Sequence, residues 1–260
     1  MEQAQRRAYL IRSLLAEDAR RRAAIPADEG EQKRLLRSLM NLRRPGPAEE
    51  SFLAVQDEYL KEAIAEKGIT RLEDLTPIEG ELYLWRGDIT TLACDAIVNA
   101  ANAGMTGCYR PCHNCIDNCI HTYAGIQLRL KCAEIMEAQG YEEPTGQAKL
   151  TPAYNLPCKY VVHTVGPIVE GRLTEEHCRL LASCYRACLE AAAAARCGSI
   201  AFCCISTGVF GFPKEEAAEI ALRTVRDWKS AKGSDIRVVF NVFTEEDLAI
   251  YRSRFSRGMQ

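Results

Sequence analysis

Along the first 75 residues, apolar positions recur three and four apart: Tyr9, Leu10, Leu14 and Leu15, then Leu35, Leu36 and Leu39, then Phe52, Val55, Tyr59 and Leu60. This is the period of helices that bury one stripe and leave the rest to solvent. Breaks at Pro26 and from Asn41 to Pro47 divide the segment, so the pattern predicts an N-terminal helical extension over residues 1–75. From Glu81 the texture changes. Short β-branched or apolar runs at 82–86, 96–100, 159–165, 199–206 and 236–243 predict strands, and the stretches 117–139, 175–196, 214–229 and 245–255 predict helices between them. Strands alternating with helices imply an α/β unit over 76–260 whose sheet is covered on both faces. In such folds ligands bind beyond the carboxyl ends of the strands.

Charge and composition narrow the class. Lys and Arg number 33 against 35 Asp and Glu, so no strong field favours a nucleic-acid partner. No apolar run reaches the roughly 20 residues needed to span a bilayer, and the charged start lacks a signal-peptide core. The expectation is a soluble, cytoplasmic monomer. Arg20, Arg21 and Arg22 read as a solvated helix end and not as a binding patch. The thirteen cysteines would mark a disulfide framework in a secreted mini-protein. In this large, leaderless chain Cys184, Cys188, Cys203 and Cys204 read instead as small buried hydrophobes.

Three strand ends carry candidate chemistry. Gly87-Asp88-Ile89-Thr90 puts a carboxylate where the first strand stops, able to accept from a ligand amine or to cap a turn. Asn99-Ala100-Ala101-Asn102 offers two amides that donate and accept towards sugar hydroxyls. The run Ser206-Thr207-Gly208-Val209-Phe210-Gly211-Phe212-Pro213 joins a strand to a helix, and its loop amides with the helix N-terminus form a phosphate cradle. It lacks the Lys-Ser/Thr of a Walker A loop and the GxGxxG spacing, which disfavours ATPase and dehydrogenase functions.

The densest signal is Gly107-Cys108-Tyr109-Arg110-Pro111-Cys112-His113-Asn114-Cys115-Ile116-Asp117-Asn118-Cys119-Ile120-His121. Thiolate and imidazole are the ligands zinc prefers, and this spacing allows one ion to be held. Spacing leaves two arrangements open: a structural four-ligand site such as Cys108, Cys112, Cys115 and Cys119, or a three-ligand site with one open position. If a helix begins at Cys115, Cys119 lies one turn on and faces helix packing instead of the loop.

Taken in order, these motifs with His163-Thr164-Val165-Gly166-Pro167 resemble the MacroD-type macrodomains, and the cysteine-rich loop resembles their zinc-dependent subfamily. The resemblance covers about two-thirds of the chain and implies a three-layer α/β/α macrodomain with a mixed central sheet. It implies that Asp88 and the backbone of Ile89 hold adenine, that Asn102 and Asn99 face the distal ribose, and that Cys115, Ile116 and Asp117 line the site. Ser206, Thr207, Gly208, Val209 and Phe210 would wrap the pyrophosphate, and Phe243 would stack on adenine. Zn(2+) would be held by Cys108, His113 and Cys115, leaving Cys112 and Cys119 unligated. Asp117 would be catalytic, with His121 a weaker candidate; Asn118 stands where these enzymes usually have glycine.

The implied activity is zinc-dependent removal of mono-ADP-ribose from a modified protein, from an acidic side-chain ester. ADP-ribose would be the product, and a sirtuin-type ADP-ribosyltransferase would make the modification. Two alternatives stand beside it: an ADP-ribose reader with a structural zinc, and a metallo-phosphoesterase acting on a free nucleotide. Asp117 at the scissile end argues against the reader, and the loop's lack of further carboxylates against the phosphoesterase.

Overall fold

Three helices precede the sheet: α1 (Gln3–Ala16), α2 (Glu29–Leu42) and α3 (Glu50–Lys67). They are seen in a computed structural model that describes residues 1–18 and 23–257; Arg20, Arg21 and Arg22 lie outside the described residues. Asp28 starts α2 by accepting from the Glu31 amide at 2.8 Å. The periodic apolar positions converge: Leu10, Ile11, Leu14, Leu36, Leu39, Met40, Phe52, Tyr59 and Leu60 make one cluster that reaches Ile126. Burial of each such side chain contributes about 1.5–3 kcal/mol, whereas exposed ion pairs such as Arg6 with Glu58 contribute about 0–1 kcal/mol. Apolar packing therefore holds this region to the rest of the chain.

Two short strands, β1 (Thr70–Arg71) and β4 (Leu92–Ala93), pair with each other. The main sheet contains β2 (Pro77–Glu79), β3 (Leu82–Arg86), β5 (Ala96–Ala101), β6 (Ala148–Pro152), β7 (Tyr160–Val165), β8 (Ser199–Phe202) and β9 (Arg237–Val242) in the order β2-β3-β9-β8-β5-β7-β6. The five inner strands run parallel, and the outer two pair antiparallel, so the sheet is mixed as expected. β5, β7, β8 and β9 are almost wholly buried, which explains why they read as apolar runs and not as alternation. The helices α4 (Ile116–Ala124), α5 (Ile126–Gln139), α6 (Glu175–Ala194), α7 (Lys214–Lys232) and α8 (Glu245–Arg257) flank the sheet. Tyr185 of α6 packs on Phe202, Phe202 on Phe240, and Phe240 on Tyr251 and Phe255 of α8, joining helices to strands. α4 packs on β5 and is covered in turn by α2 and α3.

The structure departs from the pattern in three places. The single helix expected over 117–139 is two, broken at Gly125, whose φ of 99° is open to glycine. A Cβ there would lie 2.6 Å from Gln127 and 2.7 Å from Gln56, while Gln56 of α3 accepts from the Ile126 amide at 3.0 Å and so starts α5. The strand expected over 199–206 stops at Phe202, where its pairing with β9 ends, and the chain then turns through Ser206 with φ of 64°. The outer strands, β2 short and mostly exposed and β6 partly exposed, escape the apolar pattern altogether. All thirteen cysteines are free thiols. Among the described residues no helix is long and apolar enough to cross a membrane.

Candidate active site

Asp88 caps a turn, one of the two roles its position suggests. Its Oδ1 accepts from the Thr90 amide at 3.0 Å and the Thr90 hydroxyl at 2.6 Å, capping the short turn Ile89–Thr91. Its Oδ2 faces the outside and accepts from Lys67 Nζ at 2.8 Å. Burial raises the Asp88 pKa, but the hydrogen bonds and charge from Lys67 and Thr90 outweigh it and hold the carboxyl below its usual value. The Ile89 side chain is buried, so only its backbone can meet a ligand.

At the end of β5 the two asparagines divide their work. Asn99 is fully buried and donates to Asp117 Oδ1 at 2.9 Å, while Asn102, at the surface, donates to Asp117 Oδ2 at 3.3 Å. Asn99, expected to face the ribose, therefore lies beneath Asp117 and reaches the site through it. Asp117 is itself buried in the first turn of α4, and burial pushes its pKa up to about 6 against the lowering effect of the Asn99 hydrogen bond. His121 Nε2 is 3.6 Å from Asp117 Oδ1; burial holds His121 well below its usual pKa and hence neutral. Ile116 starts α4, half-buried against the core.

The loop between β5 and α4 gathers three sulfur and nitrogen donors. Cys108, His113 and Cys115 present atoms that all lie within 4.8 Å of one another, and Cys108 Sγ is 3.7 Å from His113 Nδ1. Tetrahedral zinc with bonds of 2.0–2.3 Å sets thiolate and imidazole donors about 3.5–3.8 Å apart, so the donor types fit the ion and the Cys108–His113 pair already has its spacing. Burial, chiefly, with the neighbouring Cys108 and Asp117, pushes the Cys115 thiol up to about 12; a divalent cation is the charge that would deprotonate it. Cys112 turns the other way, its thiol donating to the Arg34 carbonyl at 3.4 Å. Cys119 accepts from Arg37 at 3.5 Å, against α2, as its helical spacing implied. A second His/Cys grouping, His121, Cys132 and His163, is fully enclosed, and both His163 nitrogens are already engaged by Asn99 and Thr151.

The loop after β8 carries the run expected to cradle phosphate. The backbone N–H groups of Gly208, Val209 and Phe210 have no partner among the described residues, and Val209 is 80% exposed at the tip. Phe212 donates to the Ser206 carbonyl at 3.0 Å and Gly211 to Gly208 at 3.1 Å, closing the turn. Thr207 is held by its hydroxyl donating to Cys204 O at 3.0 Å. Ser206 is buried with an unpartnered hydroxyl oxygen, and it fits only because residue 166 is glycine: a Cβ there would lie 2.0 Å from that oxygen. Two sequence motifs thus interlock. Phe243, just past β9, is 75% exposed, its ring free to meet a planar group.

Residues outside the motifs complete the site. Lys67 of α3 reaches Asp88 and lies 3.4 Å over the Tyr123 ring, and Arg37 of α2 reaches Asn118 and the His113 carbonyl. No local pattern marks either; they are ordinary basic residues on amphipathic helices, brought to the site by packing.

A macro domain family profile matches residues 98–221. A protein-ADP-ribose hydrolase of Treponema medium is 60% identical over 261 residues, spanning 98% of this chain and 100% of that protein. One of Staphylococcus aureus (strain MRSA252) is 50% identical over 231 residues, spanning 87% of this chain and 85% of that protein. Among solved structures, an Oceanobacillus iheyensis macrodomain with ADP aligns at a TM-score of 0.63 and 36% identity, over 71% of this chain and 95% of that one. A Trypanosoma brucei macrodomain in complex with ADP aligns at 0.65 and 31%, over 84% and 95%. With the ordered strand-end motifs, the mixed sheet and relatives matched over nearly their whole length, this chain belongs to the macrodomain family.

Proposed function

We propose that this protein is a zinc-dependent protein-ADP-ribose hydrolase that removes mono-ADP-ribose from an acidic side-chain ester. The observation that carries the reading is a buried carboxylate, Asp117, held by Asn99 and Asn102 two residues beyond the Cys108, His113 and Cys115 donors. The relatives named protein-ADP-ribose hydrolase support the substrate class.

The chain's own groups divide the ligand between them. Asp88 Oδ2 and the Ile89 backbone take the adenine edge, with Phe243 on its face. The free amides of Gly208, Val209 and Phe210 donate to the pyrophosphate. Asn102 faces the distal ribose, and Asp117 orients the attacking water or accepts its proton. Cys108, His113 and Cys115 would hold zinc, which would supply Lewis acidity when bound. The sequence resemblance extends the proposal to a cytoplasmic monomer that reverses the work of a sirtuin-type transferase.

The test is incubation of an ADP-ribosylated protein with and without a chelator, followed by zinc. Release of intact ADP-ribose that stops on chelation and returns with zinc is expected. Release that persists without metal removes the zinc from the reaction. ADP-ribose binding without release makes the protein a reader, and free phosphate as the product makes it a phosphoesterase.

A further inference from the structure

The loop that carries the three donors does not hold its own shape. Within residues 107–115, all of them described, the only backbone–backbone hydrogen bond runs from the His113 amide to the Arg110 carbonyl, at 3.2 Å. Cys115 needs no more, because it begins α4 and its sulfur accepts from the Asn118 amide at 3.4 Å. Cys108 and His113 have no such element beneath them. Their carbonyls are held from outside by side chains: Arg129 Nη2 donates to that of Cys108 at 3.5 Å, and Asn118 and Arg37 make the remaining bonds.

Asn118 Nδ2 donates to the Cys108 carbonyl at 3.3 Å and to the Arg110 carbonyl at 3.0 Å. Its Oδ1 accepts from Arg37 Nη2 at 2.8 Å and Nε at 3.3 Å, and the same Nη2 donates to the His113 carbonyl at 2.7 Å. Arg37 belongs to α2, so the chain of contacts runs from the N-terminal helices through one buried amide to two of the three donor residues. Asn41, further along α2, accepts from the Cys112 amide at 2.9 Å and fixes the far bend of the loop.

We propose that α2 is one wall of the metal site, with Arg37 and Asn118 as positioning residues that hold Cys108 and His113 ready for the ion. This rests on the reading of Cys108, His113 and Cys115 as zinc ligands. The physical reason is preorganisation: a loop already in its ligating shape binds the ion without first losing conformational freedom. Arginine is suited to the task because its planar fork meets the amide oxygen through two nitrogens while also reaching a carbonyl. It also gives the N-terminal helices a part in the chemistry beyond covering apolar surface.

The test uses the full chain and measures zinc affinity by competition with a chromophoric chelator, alongside melting of the zinc-free form. Arg37→Ala and Asn118→Ala are each expected to weaken zinc binding by about 10- to 100-fold, the range seen when groups supporting metal ligands are removed. The double variant should lose little more than either single change, since both break one connected unit. Arg37→Lys, which keeps one donor, should fall between.

Arg43→Ala is the control for general loosening. Arg43 closes α2 on Glu17 at 2.8 Å and on the Pro47 carbonyl at 2.8 Å, and its side chain makes no bond to the loop. It should lower the melting temperature and leave zinc affinity unchanged. Wild-type affinity in Arg37→Ala and Asn118→Ala, or an equal loss in Arg43→Ala, overturns the inference. A wild-type chain that takes up no zinc removes the ligand reading beneath it, and the inference with it.

Discussion

Asn99 Nδ2 lies 2.9 Å from Asp117 Oδ1 and 3.1 Å from His163 Nδ1. That nitrogen carries two hydrogens, so Asn99 can donate to both at once. His163 then holds its proton on Nε2 and donates to Thr151 Oγ1 at 2.9 Å. Asp117 therefore rests on a hydrogen-bonded chain that crosses β5, β7 and β6, and its position is set by the sheet.

Removing the carboxylate and removing its support should differ. Asp117→Ala is expected to lower the rate of ADP-ribose release by about 10²- to 10⁴-fold, the usual worth of a positioned acid–base group. Asn99→Ala should lower kcat by up to about 10²-fold through misplacement of Asp117. KM should change little in Asn99→Ala, because Asn99 is buried away from the cleft. Steady-state kinetics on an ADP-ribosylated protein separates the two; a pure KM effect in Asn99→Ala would contradict the geometry.

The cysteines should sort by direction and not by spacing. Cys112→Ser should retain zinc and activity, because that thiol is turned towards Arg34. Cys115→Ser should lose both. Metal content by elemental analysis of the two purified variants checks this.

Adenine recognition is expected to depend on Phe243 and Asp88. Stacking of one base on an aromatic ring is worth about 1–3 kcal/mol, so Phe243→Ala should weaken ADP-ribose binding about 5- to 160-fold. Asp88→Ala removes a charged acceptor, and a loss of about 1.5–3 kcal/mol is expected. Calorimetric titration reads both; unchanged affinity in Phe243→Ala would leave the exposed ring unexplained.

Stability should fall on the acid side. Burial holds His163 down to about 3 in the folded chain, while in the unfolded chain it titrates near the ordinary histidine value of 6.5. Between those values the unfolded state binds more protons, so this group's contribution is full above about pH 6.5 and is lost progressively as pH falls towards 3. One such histidine changes stability by at most about 1.4 kcal/mol per pH unit. His163→Gln should melt lower at pH 7.5 but lose stability less steeply on acidification. Thermal melts at a series of pH values provide the check; parallel curves would count against the assignment.

Much of this was open to reading in the sequence because the signals are local. Strand β3 is found over the expected residues, the inner parallel strands are continuous apolar runs, and the donor residues crowd into one loop. The break at Gly125 was hidden for a physical reason: the residue that starts α5 there is Gln56, 70 positions away. The half-exposed strand β6 was hidden because its pairing with β7, and not its own pattern, makes it a strand.

By itself, the order of residues determined the α/β class, the three strand ends and the donor types, since periodicity, turn chemistry and ligand chemistry are properties of neighbours in the chain. Only the tertiary structure decided what each group does there. It brought Cys108, His113 and Cys115 within 4.8 Å while turning Cys112 away, and it buried Asn99 beneath Asp117. It also delivered Lys67 to Asp88 and Arg37 to Asn118 from helices that carry no motif. Direction and distance between remote side chains depend on how packed elements cross, and that is set by the whole core at once.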